Sequence, residues 1–109
     1  AAADLVVSRS GSGTIFEISA FGKPAILIPL SESANDHQRA NAYEFAKIGG
    51  ARVIEEENLA PRIFVNQIKE ILENPTIFEK MKSASRDFFK SDAADNIAKE
   101  ILKLAGVSL

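Results

Sequence analysis

The sequence contains no cysteine and a single histidine, His37, in 109 residues. Without cysteine there is no disulfide framework and no thiolate metal site, and one histidine does not build a zinc cluster alone, so neither a metal nor another cofactor is expected. The lack of disulfides fits a cytoplasmic protein. An excess of one charge is also missing: the formal net charge is -2. Nucleic-acid binding needs a basic patch, so no nucleic-acid partner is expected. The longest apolar run, Pro24 to Leu30, is far short of the roughly 20 residues that cross a bilayer as a helix. The opening lacks Met, a basic leader region and a long apolar stretch. It passes from Ala1-Ala2-Ala3-Asp4 directly into an apolar strand, as expected of a chain cut from something larger.

What is present is an ordinary globular mixture, 46% hydrophobic and 26% charged, of a length suited to one small domain. Leu5-Val6-Val7 and Ala25-Ile26-Leu27-Ile28 are continuous apolar runs rather than alternating ones, as in strands buried on both faces of a parallel sheet. Arg52-Val53-Ile54 is a third, shorter candidate. Between them lie two segments of helical length. Thr14 to Phe21 is closed by Gly22, and Asp36 to Ile48 is closed by Gly49-Gly50, glycine being the residue that accepts a left-handed cap. Strand, helix, strand, helix, strand predicts an α/β fold of three layers, a short parallel sheet of about three strands with helices on both faces.

Beyond Glu57 the pattern is helical only, giving a helical C-terminal end. Phe64, Ile68, Ile71 and Leu72 recur at helical spacing, then Phe78, Met81, Ser85 and Phe88, then Ile97, Ile101 and Leu104. Asn74-Pro75 and Ser91-Asp92 separate these helices. Phe88 and Phe89 adjoin a turn and either cover a core or meet a missing domain, core packing being the favoured reading. Glu55-Glu56-Glu57, Lys69, Glu70, Lys80, Lys82, Lys99 and Glu100 read as solvated surface. The first strand is apolar enough to belong inside a sheet with neighbours on both sides, because an exposed apolar edge invites pairing with another chain, and the simplest account is that a missing N-terminal part of the domain supplies those strands.

Two segments carry the residues suited to a site. Ser8-Arg9-Ser10-Gly11-Ser12-Gly13-Thr14 joins the carboxyl end of a strand to the start of a helix, where free N–H groups and the positive end of the helix dipole receive anions such as a diphosphate. Small residues in such a turn are also demanded by the turn itself. The glycine spacing matches neither a dinucleotide fingerprint nor a P-loop. Glu17 follows Thr14 by the interval of a capping box, which accounts for it structurally. A carboxylate there is equally suited to accept hydrogen bonds from ribose hydroxyls. Asn35 and Gln38 repeat the capping interval at the second helix. Asn35, His37, Gln38 and Asn41 also form a neutral hydrogen-bonding set of the kind that reads sugar hydroxyls. No Ser, Cys or acid is placed to form a triad with His37, so a binding role is favoured and no catalytic residue is assigned.

Three blocks, Ala3 to Gly11 with Thr14 and Glu17, Gly22-Lys23-Pro24-Ala25-Ile26-Leu27-Ile28-Pro29-Leu30, and Asp36-His37-Gln38-Arg39-Ala40-Asn41-Ala42, occur in an order and spacing that resemble MurG-type glycosyltransferases. The similarity continues through Gly49-Gly50-Ala51 to the closing helices and covers nearly the whole chain. It implies a Rossmann-like partial domain. Residues 1–109 would be the C-terminal part of the donor-binding domain of a GT-B enzyme, with the N-terminal acceptor domain absent. The full enzyme would transfer N-acetylglucosamine, with inversion, from UDP-N-acetylglucosamine to lipid I, giving lipid II for peptidoglycan, with no metal needed for donor binding. It would sit peripherally at the cytoplasmic face of the inner membrane.

Carried over by position, Glu17 would bind the ribose hydroxyls. Ser12, Gly13 and Thr14 would line the diphosphate and sugar, Gln38 would bind the sugar hydroxyls, and His37 and Asn41 would flank them. The family's catalytic base, Gly-Gly-Ser-type phosphate loop and uracil-binding segment have no counterpart here, so the fragment alone is expected to be inactive. Competing readings are a donor subunit of another GT-B N-acetylglucosaminyltransferase, a UDP-N-acetylglucosamine epimerase, and a non-enzymatic α/β module that self-associates through its first strand.

Overall fold

Ala25–Ile28 is apolar at four consecutive positions because it is the middle strand of the sheet, and all four residues are buried. The computed structural model describes residues 4–9, 12–29, 36–104 and 106, with the backbone alone for Ser12, Asp36–Gln38, Glu100 and Leu104. Within these the elements run β1 (Val6–Arg9), α1 (Ser12–Ala20), β2 (Ala25–Ile28), α2 (Asp36–Lys47), β3 (Ala51–Val53), a 3-10 turn (Glu56–Asn58), α3 (Pro61–Glu73), α4 (Pro75–Phe89) and α5 (Asp92–Leu104). The sheet order is β1-β2-β3 and both pairings are parallel, with Val6 opposite Ala25 and Ala25 opposite Ala51. The expected α/β architecture is therefore present.

Because side chains alternate across a strand, β2 feeds two cores. Ala25 and Leu27 face α1, α2, α5 and the end of α4, packing with Ile15, Ile18, Phe45, Phe88 and Ile97. Ile26 faces the opposite way, toward Ile71 of α3 and Met81 of α4, with Phe64, Ile68 and Phe78 around them. Helix α4 contributes to both layers. Met81 lies in the second core, Phe88 in the first, and the buried Ser85 donates its hydroxyl to the Ile18 carbonyl of α1 at 3.5 Å.

The two βα helices end in the same way. Gly22 (φ 63°) follows α1 and Gly49 (φ 99°) follows α2, both in the left-handed region where a side chain is strained. The N–H groups of Gly22 and Lys23 donate to the Ser19 and Ile18 carbonyls at 3.0 and 3.1 Å, and those of Gly49 and Gly50 to Ala46 and Phe45 at 3.0 and 3.2 Å. These are Schellman caps, and they turn the chain back toward the amino ends of β2 and β3. At α4 the cap is Asn74, whose Oδ1 accepts from the Thr76 and Ile77 N–H groups at 3.1 and 3.2 Å, with Pro75 opening the helix. Ser91 caps α5 through the Ala94 N–H at 3.3 Å.

Two expectations are corrected. Helix α1 starts at Ser12 rather than Thr14, so Thr14 is inside the first turn and is not the cap that the capping box with Glu17 requires. Strand β1, whose continuous apolar run predicts burial on both faces, alternates between half-buried and exposed residues. Among the described residues it pairs with β2 alone, and Val7 is 40% exposed.

Candidate functional site

Parallel strands place their carboxyl ends together, and the helices that follow them begin at that same end. Here the mouth consists of the end of β1 at Arg9, the end of β2 at Ile28, the first turns of α1 and α2, and the segment after β3. Ser12, Gly13 and Thr14 form the first turn of α1, where N–H groups have no acceptor within the helix. Gly13 is exposed, has no positive φ, and would meet no atom within 4 Å if it carried a Cβ. The fold therefore does not require glycine there. Thr14 is half-buried, and Glu17 is exposed with no hydrogen-bond or ion-pair partner among the described residues.

On α2, the backbone places His37 and Gln38 in the first turn and Asn41 in the second, where its side chain is half-buried. At about 100° per residue, positions 37, 38 and 41 share one side of the helix, and positions 39 and 43 fall on the other. Two of the expected groups, Glu17 and the α2 set, are thus brought to one end of the sheet by adjacent βα units. Ser10, Gly11 and Asn35 lie outside the described residues, as does the Asn35 half of the second capping box.

Sequence reasoning missed the carboxylates after β3. Glu55 and Glu56, read above as solvated surface, both turn back onto the mouth. Glu56 accepts from the Arg9 guanidinium at the end of β1. Glu55, only 17% exposed, accepts from both Arg39 and the Tyr43 hydroxyl, which stand one turn apart on α2. The hydrogen bonds from Tyr43 and Arg39 hold the Glu55 carboxyl below the usual carboxylate range against the opposing effect of burial. The same contact with Glu55 raises Tyr43 and Arg39 above their ordinary values. A comparable tie joins β3 to α3, where Arg52 donates to Gln67 at 2.6 Å and to Glu70 at 2.9 Å and so lowers the Glu70 carboxyl. The signal available in the sequence was positional: acids directly after a strand's carboxyl end, with Arg39 and Tyr43 four residues apart on a neighbouring helix.

Tyr43, Arg52, Glu55, Ile63 and Gln67 line an open cleft of about 600 Å³ on the outer side of β3. Its Arg52, Glu55, Tyr43 and Gln67 groups are engaged with one another or with Glu70 and Arg39, so they serve the packing of α2 and α3. Among the described residues no group of three His, Cys, Asp or Glu side chains could hold a metal ion, and no helix is long and apolar enough to cross a membrane.

The chain is similar to known proteins. Residues 1–97 match the family model of the glycosyltransferase family 28 C-terminal domain. The chain is 37% identical over 108 residues to the UDP-N-acetylglucosamine--N-acetylmuramyl-(pentapeptide) pyrophosphoryl-undecaprenol N-acetylglucosamine transferase of Rhodopseudomonas palustris (strain BisB18), with 99% of this chain and 29% of that protein covered. The protein of the same name in Thermoanaerobacter sp. (strain X514) is 41% identical over 101 residues, covering 93% and 28%. The crystal structure of Acinetobacter baumannii MurG superposes with a TM-score of 0.70 at 31% identity, covering 93% of this chain and 30% of that one. The chain thus spans a little under a third of the length of the relatives it matches. A parallel β1-β2-β3 sheet, Schellman-capped βα helices and a match over residues 1–97 lead to one assignment: the chain belongs to the glycosyltransferase family 28 C-terminal domain family.

Proposed function

We propose that this chain is the C-terminal part of the donor-binding domain of a peptidoglycan N-acetylglucosaminyltransferase. That enzyme would transfer N-acetylglucosamine from UDP-N-acetylglucosamine to lipid I at the cytoplasmic face of the membrane. The observation that carries the reading is Glu17. It is an exposed carboxylate without a partner among the described residues, one turn beyond the N–H groups of Ser12, Gly13 and Thr14, which have no acceptor within the helix. A carboxylate so placed accepts hydrogen bonds from ribose hydroxyls, while the helix start receives the diphosphate charge. Gln38, with His37 and Asn41 beside it, would bind the sugar hydroxyls from α2. The transferase name shared by the relatives favours this reading over an epimerase.

In the transfer, the acceptor hydroxyl attacks the anomeric carbon as the bond to the UDP oxygen breaks. The role of the α1 N–H groups is to stabilise the charge that develops on the departing diphosphate. No residue of this chain is assigned as the base that takes the acceptor proton.

The test is a ¹H–¹⁵N NMR titration of the chain with UDP-N-acetylglucosamine, with ADP-glucose as the control. Selective shifts at Gly13 to Glu17 and at His37 to Asn41, lost for the Glu17 region in Glu17→Gln, are the expected result. Binding is expected to be weak, because the uracil-binding segment of the family has no counterpart in the chain. Equal shifts with both nucleotides, or none in a folded sample, would remove the donor reading.

A further inference from the structure

The described side chains at the start of α2 have little hold on the core. Among its described side chains the first buried one is Ala42, and the large anchor, Phe45, comes a turn later, in contact with Phe88. Ahead of Ala42, Ala40 is exposed and Arg39 and Asn41 are half-buried. What reaches the outer side of this first half is Glu55, whose carboxylate receives Arg39 and Tyr43 together. Because Arg39 and Tyr43 are four residues apart, one carboxylate bound to both fixes the rotation of the helix about its axis as well as its distance from β3. Positions 37, 38 and 41 are on the opposite side of the same turns, so that rotation decides where they stand relative to the mouth.

We propose that Glu55 is a positioning residue for the sugar-reading half of the site, locking the first two turns of α2 onto the end of β3 through Arg39 and Tyr43. The proposal rests on the donor reading given above. Glu55 itself meets the helix on the face opposite positions 37, 38 and 41. The neighbouring Glu56 makes the corresponding tie to Arg9 on the β1 side, so the segment after β3 spans the mouth and fixes both of its halves.

The chain carries its own reporters: Tyr43 is its only tyrosine, tryptophan is absent, and His37 is its only histidine. Phenolate absorbance therefore follows Tyr43 alone. It is expected to titrate above the ordinary tyrosine value in the native chain and to return toward that value in Glu55→Gln. A native Tyr43 that titrates normally overturns the proposal, since the lock would not form in solution.

Donor titrations then separate positioning from plain stability. Glu55→Gln is expected to weaken UDP-N-acetylglucosamine by about 3- to 10-fold, the scale of one or two net hydrogen bonds. The loss should appear in the His37 to Asn41 shifts, while Gly13 and Thr14 still respond. Glu55→Asp should recover part of the affinity, and Glu57→Gln, an equal change of charge on the exposed residue two positions on, should have a much smaller effect. Native affinity in Glu55→Gln overturns the proposal. So does a loss shared by all amides with no recovery in Glu55→Asp.

If the native chain is folded but binds no donor, the donor reading fails separately and amide hydrogen exchange decides the lock. Faster exchange at Ala40 to Glu44 in Glu55→Gln, relative to α5, keeps Glu55 as the residue that holds α2. Unchanged exchange there overturns it.

Discussion

The rings of Phe45 and Phe88 meet at 4.8 Å between centroids and 53° between planes, joining the last turn of α2 to the end of α4. Both side chains are essentially inaccessible to solvent. This contact attaches α2 to the C-terminal helical end, and it makes that end part of the same core as the sheet. Replacing either ring by alanine removes buried apolar surface and leaves a cavity, at a cost of about 3–5 kcal/mol. Denaturant unfolding of Phe45→Ala and Phe88→Ala should show losses of this size. The double variant should lose less than the sum, because the tilted pair contributes beyond its area. Additive losses would mean that the rings pack independently.

Gly50 is required by the same ring. A Cβ built on it would lie 2.3 Å from Phe45 Cε1, and its backbone is not in the left-handed region. The demand is steric, unlike that at Gly49. Gly50→Ala is therefore expected to destabilise by about 1–3 kcal/mol, the range for overpacking. A smaller side chain at position 45 should relieve part of the strain, so Phe45→Leu with Gly50→Ala should be less damaging than the two losses added. Thermal melts of the four proteins check this, and an unperturbed Gly50→Ala would show that the ring moves aside freely.

The sequence revealed the elements that local chemistry dictates. The continuous apolar run of β2, the glycine caps of α1 and α2, and the Asn74 and Ser91 breaks all lie where the pattern places them, because each depends on neighbours a few residues away. Helix α1 begins two residues ahead of Thr14, since Ser12 and Gly13 carry turn chemistry yet are taken into the helix. Arg9–Glu56 and the Glu55 contacts with Arg39 and Tyr43 join residues far apart in sequence. Charge and polarity alone do not distinguish such acids from a solvated surface. The candidate donor residues were legible only as strand-end and helix-start positions, and the fold puts Glu17 and the start of α2 at the same end of the sheet.

Gly13 offers a way to separate main-chain recognition from side-chain recognition. With open space around its Cβ position and no positive φ, Gly13→Ala should stabilise the chain by about 0.5–1 kcal/mol through a better helix former and a less flexible unfolded state. Its N–H is unchanged by the substitution. If the donor diphosphate is received by the first-turn N–H groups, the NMR titration of Gly13→Ala should match that of the native chain. Loss of binding together with a gain in stability would place the ligand against the Cα of Gly13 instead.

The Glu55 contacts also predict how stability depends on pH. A carboxyl held below its ordinary range stabilises the fold at pH values above that range and ceases to do so as pH falls through its folded pKa. Glu55, bonded to Tyr43 and Arg39, and Glu70, bonded to Arg52, both act in this direction. Tyr43 has the opposite sign. Raised by its hydrogen bond to Glu55, it stabilises the fold fully below its unfolded pKa of about 10 and loses that contribution as pH rises through the higher folded value. Arg39 stays charged throughout and adds no slope. The stability difference between the native chain and Glu55→Gln should therefore be flat near neutrality and shrink at both the acid and the alkaline end. Urea unfolding across a pH series measures it. A difference that is constant with pH, or that grows toward acid, would show that the Glu55 carboxylate does not bind Tyr43 and Arg39 in the folded chain.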